Sequence, residues 1–351
     1  HADLMLQTLE TGEPYPIKFG MYCGNNLMSC TSAEPKRWHD AILKSLEFCF
    51  TIDTFMTPSA QASCDVFLPL AASAEREGTT FTHYGASMGI KGFSQAATRT
   101  GEALTDAEAC FKLGKALNPQ WWTDYDTVED FINHLRLSNK FKFREVAPAV
   151  YVQDEVTYRK NECGKLRADG KVGFNTPTGR IELYSTIFQQ FDDDPLPYYD
   201  EPQYSPANTP ELLKDYPFVL TTGARPYAFF HSENRQIPFC RELNPDPIVE
   251  VNPKTAKKLG IADGQWCEIW NQFGSCKQKA KLTETVDENT IHCQHAWWFP
   301  EEDGSEPNLY GNWRSNVNNL VPNFHFGKLG FGAPLDRKST RLNSSHMSIS
   351  Y

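Results

Sequence analysis

The fold is decided by residues 217–334, a stretch that opens with Phe218-Val219-Leu220-Thr221-Thr222-Gly223-Ala224-Arg225. Two further polar clusters follow, His231-Ser232-Glu233-Asn234-Arg235 and then His295-Ala296-Trp297-Trp298 with Asn316-Val317-Asn318-Asn319-Leu320. Hydroxyl, imidazole, amide and guanidinium groups of this kind can donate hydrogen bonds to a polar ligand. We therefore expect a binding site in this stretch.

The segments between the clusters have strand patterns. Residues 218–221, 248–251 and 266–270 are apolar or alternate between apolar and polar, and residues 277–286 and 290–295 add two more candidate strands. Asn252 and Pro253 predict the start of a short helix, and Gly260 predicts its end. These patterns predict a small closed β-barrel.

The front of the chain has a different pattern. Residues 17–23 and 48–52 predict strands on either side of a helix at 35–46, and residues 64–70 predict a third strand. Such a unit brings Asn25 and Asp53 to the carboxyl ends of parallel strands, where ligands bind in open α/β sheets. A helix is also expected at 106–117, with Thr105 or Asp106 as its cap.

The predicted organisation has four segments. Residues 1–140 form an α/β open-sheet portion, and residues 141–215 an irregular excursion with one strand at 179–184. Residues 216–335 form the barrel, and residues 336–351 a disordered, non-native tail. Because the chain starts at His1 in a helical pattern, we expect a fragment whose front is missing.

Composition limits the partners. A net charge of −10 and a pI near 5.4 argue against a nucleic-acid partner. No apolar run reaches the about 18 residues that a membrane helix needs, so we expect no membrane insertion. The compartment stays open between cytoplasm and export. The ten cysteines contain no Cys-x-x-Cys pair, so each is expected to be a buried free thiol rather than a zinc or iron-sulfur ligand.

Residues 11–334 resemble the C-terminal part of the catalytic subunit of dimethyl sulfoxide reductase family molybdopterin oxidoreductases. Besides the three clusters, segments in the family's order carry the resemblance, namely Asp53-Thr54-Phe55-Met56-Thr57-Pro58-Ser59-Ala60, Asp65-Val66-Phe67-Leu68-Pro69 and Glu75-Arg76-Glu77-Gly78-Thr79. The resemblance implies an α/β open-sheet portion followed by a six-stranded double-psi-type β-barrel. It also implies a bis(molybdopterin guanine dinucleotide) cofactor with molybdenum or tungsten.

Carried onto this sequence, the resemblance gives fourteen candidate cofactor-binding residues. They are Asn25, Asp53, Thr57, Thr222, Gly223, Arg225, His231, Ser232, Asn234, Arg235, His295, Trp297, Asn316 and Asn318. We expect Arg225 and Arg235 to pair with phosphate, and Asn316 and Asn318 to lie on one side of an extended segment. Other interpretations stay open, because Asp53 and Thr57 also suit turn or helix caps.

No catalytic residue and no metal ligand are assigned. The family's 4Fe-4S cluster motif and protein ligand to the metal belong to the missing N-terminal part. The sequence is most similar to the branch that contains thiosulfate and polysulfide reductases, acetylene hydratase and hydroxyl-transferring or dehydroxylating enzymes. The resemblance implies an oxidoreductase acting on a small-molecule substrate, partnered by an iron-sulfur electron-transfer subunit. The alternatives are a noncatalytic homologue in an electron-transfer complex and a ligand-binding barrel.

Overall fold

The computed structural model describes residues 2–82, 89–137, 141–148, 151–153, 157–196, 199, 201, 204–222, 226–323 and 342–349. The helices are α1 (Ala2–Thr11), α2 (Pro35–Ser45), α3 (Pro58–Ser63), α4 (Asp106–Leu117), α5 (Val128–Phe131), α6 (Phe143–Val146), α7 (Thr186–Gln190), α8 (Pro238–Leu243), α9 (Pro253–Leu259) and α10 (Asn312–Ser315). None in the described ranges is long and apolar enough to cross a membrane.

Twelve strands accompany these helices in the described residues. They are β1 (Phe19–Cys23), β2 (Phe48–Asp53), β3 (Val66–Pro69), β4 (Gly78–Thr82), β5 (Gly89–Phe93), β6 (Tyr151–Gln153), β7 (Phe218–Thr221), β8 (Ile248–Val251), β9 (Trp266–Asn271), β10 (Gly274–Leu282), β11 (Thr290–Cys293) and β12 (Leu342–Ile349).

The chain forms two compact units. The first takes the described residues of His1–Thr51, Met56–Phe67 and Ile187–Tyr351, and the second those of Ile52–Phe55 and Leu68–Thr186. These units do not coincide with the four segments expected from the sequence. The segment boundaries stay a prediction, because they follow changes in sequence pattern whereas the units follow packing.

The front sheet has the order β1-β2-β3. Helix α2 begins at Pro35 and ends at Ser45, close to the predicted bounds, and its apolar side packs with α1 in a core that includes Leu6, Trp38 and Ile42. The predicted strand, helix, strand pattern is therefore confirmed. Helix α3 also begins as expected, because the Thr57 hydroxyl accepts a hydrogen bond from the Ala60 amide.

The rear sheet follows the order β10-β8-β11-β7-β12-β9. Strands β7 and β11 are parallel, as are β8 and β10, whereas β9 and β10 form an antiparallel hairpin. The inward residues of β8, β9 and β11 alternate with outward ones and are buried. Helix α9 has the predicted Asn252 cap and ends at Gly260, whose φ of 70° is the left-handed conformation that glycine adopts most readily.

Three cysteines lie in the core of this rear sheet. Cys267, Cys276 and Cys293 are at most 1% exposed. Burial raises the pKa of Cys267 to about 11, and burial together with neighbouring Cys276 raises that of Cys293 well above its usual range. The prediction of buried thiols is confirmed for these three residues and for Cys49, but it is wrong for the exposed Cys23, Cys110 and Cys163.

Two expectations about local structure are wrong. Residues 342–349 of the expected disordered tail form β12, which pairs antiparallel with β7 and β9. The unpaired backbone groups at the edges of those two strands provide partners for another strand. Residues 179–184 form no strand, and the side chains of Ile181 and Leu183 are 67% and 79% exposed. An alternating pattern with nothing to bury its apolar face does not make a stable strand.

The second unit contains a sheet in the order β4-β5-β6, which the sequence patterns did not indicate. Helix α4 has the expected cap, since Thr105 and Glu108 exchange hydrogen bonds between side chain and backbone. Gly114 of this helix lies against Trp122, and a Cβ there would be 2.1 Å from the indole ring. The close approach of α4 to Trp122 therefore requires glycine.

A π-helical turn, Leu27–Thr31, follows β1 and is hydrogen-bonded to the rear part of the first unit. Three asparagines, which we call the asparagine clamp, bind this turn. The Asn316 amide donates to the Met28 carbonyl (3.0 Å), the Asn318 amide donates to the Cys30 carbonyl (3.0 Å), and Asn312 Oδ1 accepts from the Ser29 hydroxyl (2.8 Å). All three side chains are buried, so their hydrogen bonds are shielded from water.

Replacing Asn316 with Asp removes the donor to the Met28 carbonyl and places a carboxylate beside it. We expect the free energy of unfolding of the first unit to fall by about 2–4 kcal/mol, because a buried charge without a partner is costly. Urea denaturation followed by tryptophan fluorescence measures this change. The matched control is Asn289→Asp at an exposed position, which should change stability by less than about 0.5 kcal/mol. Equal unfolding midpoints for the two variants would contradict the role of the clamp.

Candidate functional site

The ends of β7 and β11 bring the predicted polar clusters together. The two strands are parallel neighbours, with Leu220 opposite Ile291, so their carboxyl ends lie side by side. Thr222 follows β7 directly and is half-buried, and the loop containing His295 follows β11. Gly223 and Arg225 lie outside the described residues. The remaining candidate residues of the first two clusters can be placed.

Two imidazoles meet at this point. His231 Nδ1 and His295 Nε2 are 3.0 Å apart and share a hydrogen bond, although the residues are 64 positions apart in the chain. His231 has a φ of 52°, a left-handed conformation that few residues other than glycine adopt. We call these two side chains the histidine pair. The loops after two parallel strands are therefore joined through polar groups that can also bind a ligand.

Arg235 lies beneath the histidine pair and is only 1% exposed. Its guanidinium lies 4.6 Å from the ring centre of Phe229 and 4.7 Å from that of Trp297. Its two terminal nitrogens donate to the carbonyl oxygens of His231 and His295, at 2.5 and 3.1 Å. Burial lowers the pKa of Arg235 to about 9; Cys30 opposes this shift and Arg241 adds to it.

The neighbouring candidates are mainly enclosed. Ser232 is 8% exposed, and its carbonyl oxygen accepts a hydrogen bond from the Trp298 indole. Trp297 is fully buried against Phe229, and its indole N–H has no acceptor among the described residues. Asn234 is half-buried with a φ of 70°. Cofactor contacts by these residues stay a prediction.

The last cluster is arranged differently from the expectation. Asn316 caps a 3-10 turn, Val317–Leu320, and the predicted extended segment is absent from this described part of the chain. The Asn316 and Asn318 amides donate to carbonyls of the π-helical turn as members of the asparagine clamp. These contacts use both polar atoms of the Asn316 side chain and the amide nitrogen of Asn318. Cofactor contacts by the two residues stay a prediction.

At the end of β1, two adjacent asparagines differ in their surroundings. Asn26 Oδ1 accepts from the Ser59 hydroxyl at 2.8 Å, but its amide nitrogen has no partner among the described residues. Asn25 Oδ1 is buried and likewise has no donor there. Thr57 acts as the cap of α3, as its alternative interpretation suggested. Asn25 therefore keeps an acceptor for a ligand.

Asp53 belongs to the second unit, at the end of β2. Its carboxylate accepts a hydrogen bond from the Thr54 amide at 2.7 Å. Burial nevertheless raises the pKa of Asp53, and this effect exceeds the opposing hydrogen bonds from Thr54 and Phe55. Asp53 thus combines the contact of a turn cap with the desolvation that is frequent at functional sites.

Sequence patterns did not single out Asn26, Ser59 and Asn312, which hold the π-helical turn. Their only signal was position, since Asn26 follows a strand and Asn312 lies just before the last cluster. A groove of about 870 Å³ also went unpredicted. It lies between α2, the β9–β10 hairpin and residues 306–313, with His39 and Trp313 in its lining. None of the fourteen candidate residues lines this groove.

A family model, described as the Molydopterin dinucleotide binding domain, matches residues 218–329. This range includes the histidine pair, Arg235 and the asparagine clamp. It ends before β12.

Two curated relatives match most of the chain. Dopamine dehydroxylase from Eggerthella lenta is 29% identical, over 90% of this chain and 37% of its own length. Acetylene hydratase from Syntrophotalea acetylenica is 30% identical, over 86% of this chain and 40% of its own length. The chain therefore spans about two fifths of the length of these relatives.

A solved structure, acetylene hydratase from Pelobacter acetylenicus, matches with a TM-score of 0.81 and 25% identity. The match covers 98% of this chain and 45% of that chain. A hydratase and a dehydroxylase both fall in the branch of the family that the sequence resembles. The chain belongs to the dimethyl sulfoxide reductase family of molybdopterin oxidoreductases.

Proposed function

We propose that this chain binds the guanine dinucleotide of a bis(molybdopterin guanine dinucleotide) cofactor at the ends of β7 and β11. The observation that carries the proposal is the contact between His231 and His295, which joins the loops after two parallel strands. That contact lies within the residues that match the dinucleotide binding domain. Small-molecule sites favour the carboxyl ends of parallel strands, where backbone and side-chain donors converge.

The chemistry of the side chains present fits such a ligand. A pyrophosphate only accepts hydrogen bonds, whereas a ribose and a guanine edge both donate and accept them. Thr222, Ser232 and Asn234 supply hydroxyl and amide groups beside the histidine pair. Asn25 Oδ1, which is buried without a donor among the described residues, could accept from a guanine edge. These four residues, together with the histidine pair, would hold the cofactor.

The proposed activity is that of an oxidoreductase catalytic subunit. When bound, the cofactor supplies two-electron or oxygen-atom transfer at molybdenum or tungsten. The protein residues bind and orient the dinucleotide and exclude water from it. A 4Fe-4S cluster, an iron-sulfur partner subunit and a small-molecule substrate complete the proposal for the parent protein. Six strands in double-psi topology are proposed for its whole barrel.

Replacing His295 with Ala should weaken binding of guanosine diphosphate, which represents one end of the dinucleotide. We expect the dissociation constant to rise about tenfold, the effect of losing one hydrogen bond together with the order of the histidine pair. Isothermal titration calorimetry on the purified chain measures this change. His134→Ala, at an exposed position in the second unit, is the matched control and should bind as tightly as the unchanged chain.

The same titration with adenosine diphosphate tests whether the site selects guanine over adenine. Affinity for the guanine nucleotide that equals affinity for the adenine nucleotide would argue against a guanine site. Failure of the unchanged chain to bind either nucleotide would favour the noncatalytic alternative.

Replacing Asp53 with Asn should raise the thermal midpoint of the second unit at pH 7. Burial raises the folded-state pKa of Asp53, so the folded protein binds the proton more tightly than the unfolded protein. The ionised carboxylate therefore lowers stability above the folded pKa, and this penalty disappears as the pH falls through that pKa towards the unfolded value. Calorimetry from pH 7 downwards should show the advantage of the variant shrinking. The exposed Asp126→Asn is the control, and an advantage that grows on acidification would contradict the assignment.

A further inference from the structure

Arg235 is held on every side by groups of the first unit. The guanidinium lies between the rings of Phe229 and Trp297, at 4.6 and 4.7 Å from their centres, and only 1% of the residue is exposed. Its Nε has no acceptor among the described residues, and no carboxylate there pairs with it. An arginine in this position has no edge directed at solvent with which to grip a phosphate in the forked geometry.

The hydrogen bonds of Arg235 point instead to the backbone of the histidine pair. One terminal nitrogen donates to the His231 carbonyl and the other to the His295 carbonyl. A single planar group therefore fixes the distance between two loops that are more than 60 residues apart in sequence. The imidazoles of the same two residues are hydrogen-bonded to each other.

The backbone around these carbonyls needs such support. His231, Asn234 and Ala296 all have left-handed φ values, of 52°, 70° and 57°. Non-glycine residues in this region persist only where surrounding contacts determine their conformation. The two bonds from Arg235 act directly on His231 and on the residue before Ala296.

We propose that Arg235 is a positioning residue, which holds the carbonyls of His231 and His295 so that their imidazoles share one proton. The expected effect of Arg235 on ligand binding rests on the proposed function, whereas its effect on the two imidazoles does not. In the neutral pair one ring donates and the other accepts in the shared bond. The outer nitrogens of the two rings then have opposite roles, one as donor and one as acceptor.

The test uses the full chain without cofactor and reads the imidazoles directly. Nitrogen-15 NMR of labelled histidines identifies the tautomer of each ring and the proton shared between His231 and His295. We expect Arg235→Met to abolish the shared-proton signal, because methionine fills the space between the two rings but donates to neither carbonyl. A folded Arg235→Met protein that retains this signal would overturn the proposal.

Arg241→Met is the matched control. The Arg241 guanidinium also lies near the Trp297 ring, at 5.5 Å, but its described hydrogen bond goes to Glu301. This variant removes a cation from the same aromatic group and should keep the shared proton. Loss of the signal in both variants to the same extent would show a general packing effect and overturn the positioning role.

Arg235→Lys covers the case in which the methionine variant does not fold. Lysine keeps the charge but carries a single ammonium group, which cannot reproduce the fixed fork between two carbonyls. We expect a folded protein whose shared-proton signal is broadened or shifted. A signal identical to that of the unchanged chain would overturn the proposal.

Measuring nucleotide binding distinguishes failure of the positioning role from failure of the proposed function. Arg235→Met and Arg235→Lys should each weaken binding of guanosine diphosphate about tenfold, the scale of effects from groups that orient ligands, while Arg241→Met should change it less than about twofold. Absence of nucleotide binding in the unchanged chain, with an Arg235-dependent imidazole signal, would remove the proposed function and retain the positioning role. Tight nucleotide binding with an imidazole signal that does not depend on Arg235 would retain the proposed function and remove the positioning role.

Discussion

Buried hydrogen bonds from asparagine amides to a π-helical turn hold the front sheet and the rear sheet of the first unit together. The turn is the continuation of β1, and its carbonyls at Met28 and Cys30 take their donors from Asn316 and Asn318, almost 290 residues later. The asparagine side chains at this junction are buried, so each carbonyl depends on its amide partner. The junction fixes where β1 ends and where the segment after β11 must pass, and both pieces carry candidate cofactor contacts.

Local sequence explains the parts of the fold that depend on neighbours in the chain. The caps at Thr57, Thr105 and Asn252 were predictable because each side chain bonds to an amide two or three residues away. The prediction of a strand at residues 179–184 was wrong because the sequence pattern does not indicate whether a partner strand is available. The sheet of the second unit was missed for the same reason, since its short strands acquire their partners only through tertiary packing.

In the candidate site, too, local sequence predicted some features, whereas contacts between distant residues could not be predicted. Sequence indicated which residue types would gather after β7 and β11, and the histidine pair lies there. It did not indicate that Arg235 would point inwards, because the carbonyls that receive its hydrogen bonds come from two distant loops. A buried arginine bound only to neutral groups is costly to desolvate, and such a residue is better suited to specifying one arrangement of its neighbours than to adding stability.

The thiols in the core of the rear sheet have a consequence for how this protein can be observed. Only ionised thiols react readily, and burial keeps Cys267 and Cys293 protonated at neutral pH. A thiol reagent can therefore modify them only during excursions in which the rear sheet opens. The exposed Cys163, in contrast, is accessible to the reagent without any opening of the fold. The rate at which Cys267 and Cys293 are modified therefore reports how often the rear sheet opens, and Cys163 of the second unit serves as an exposed reference thiol.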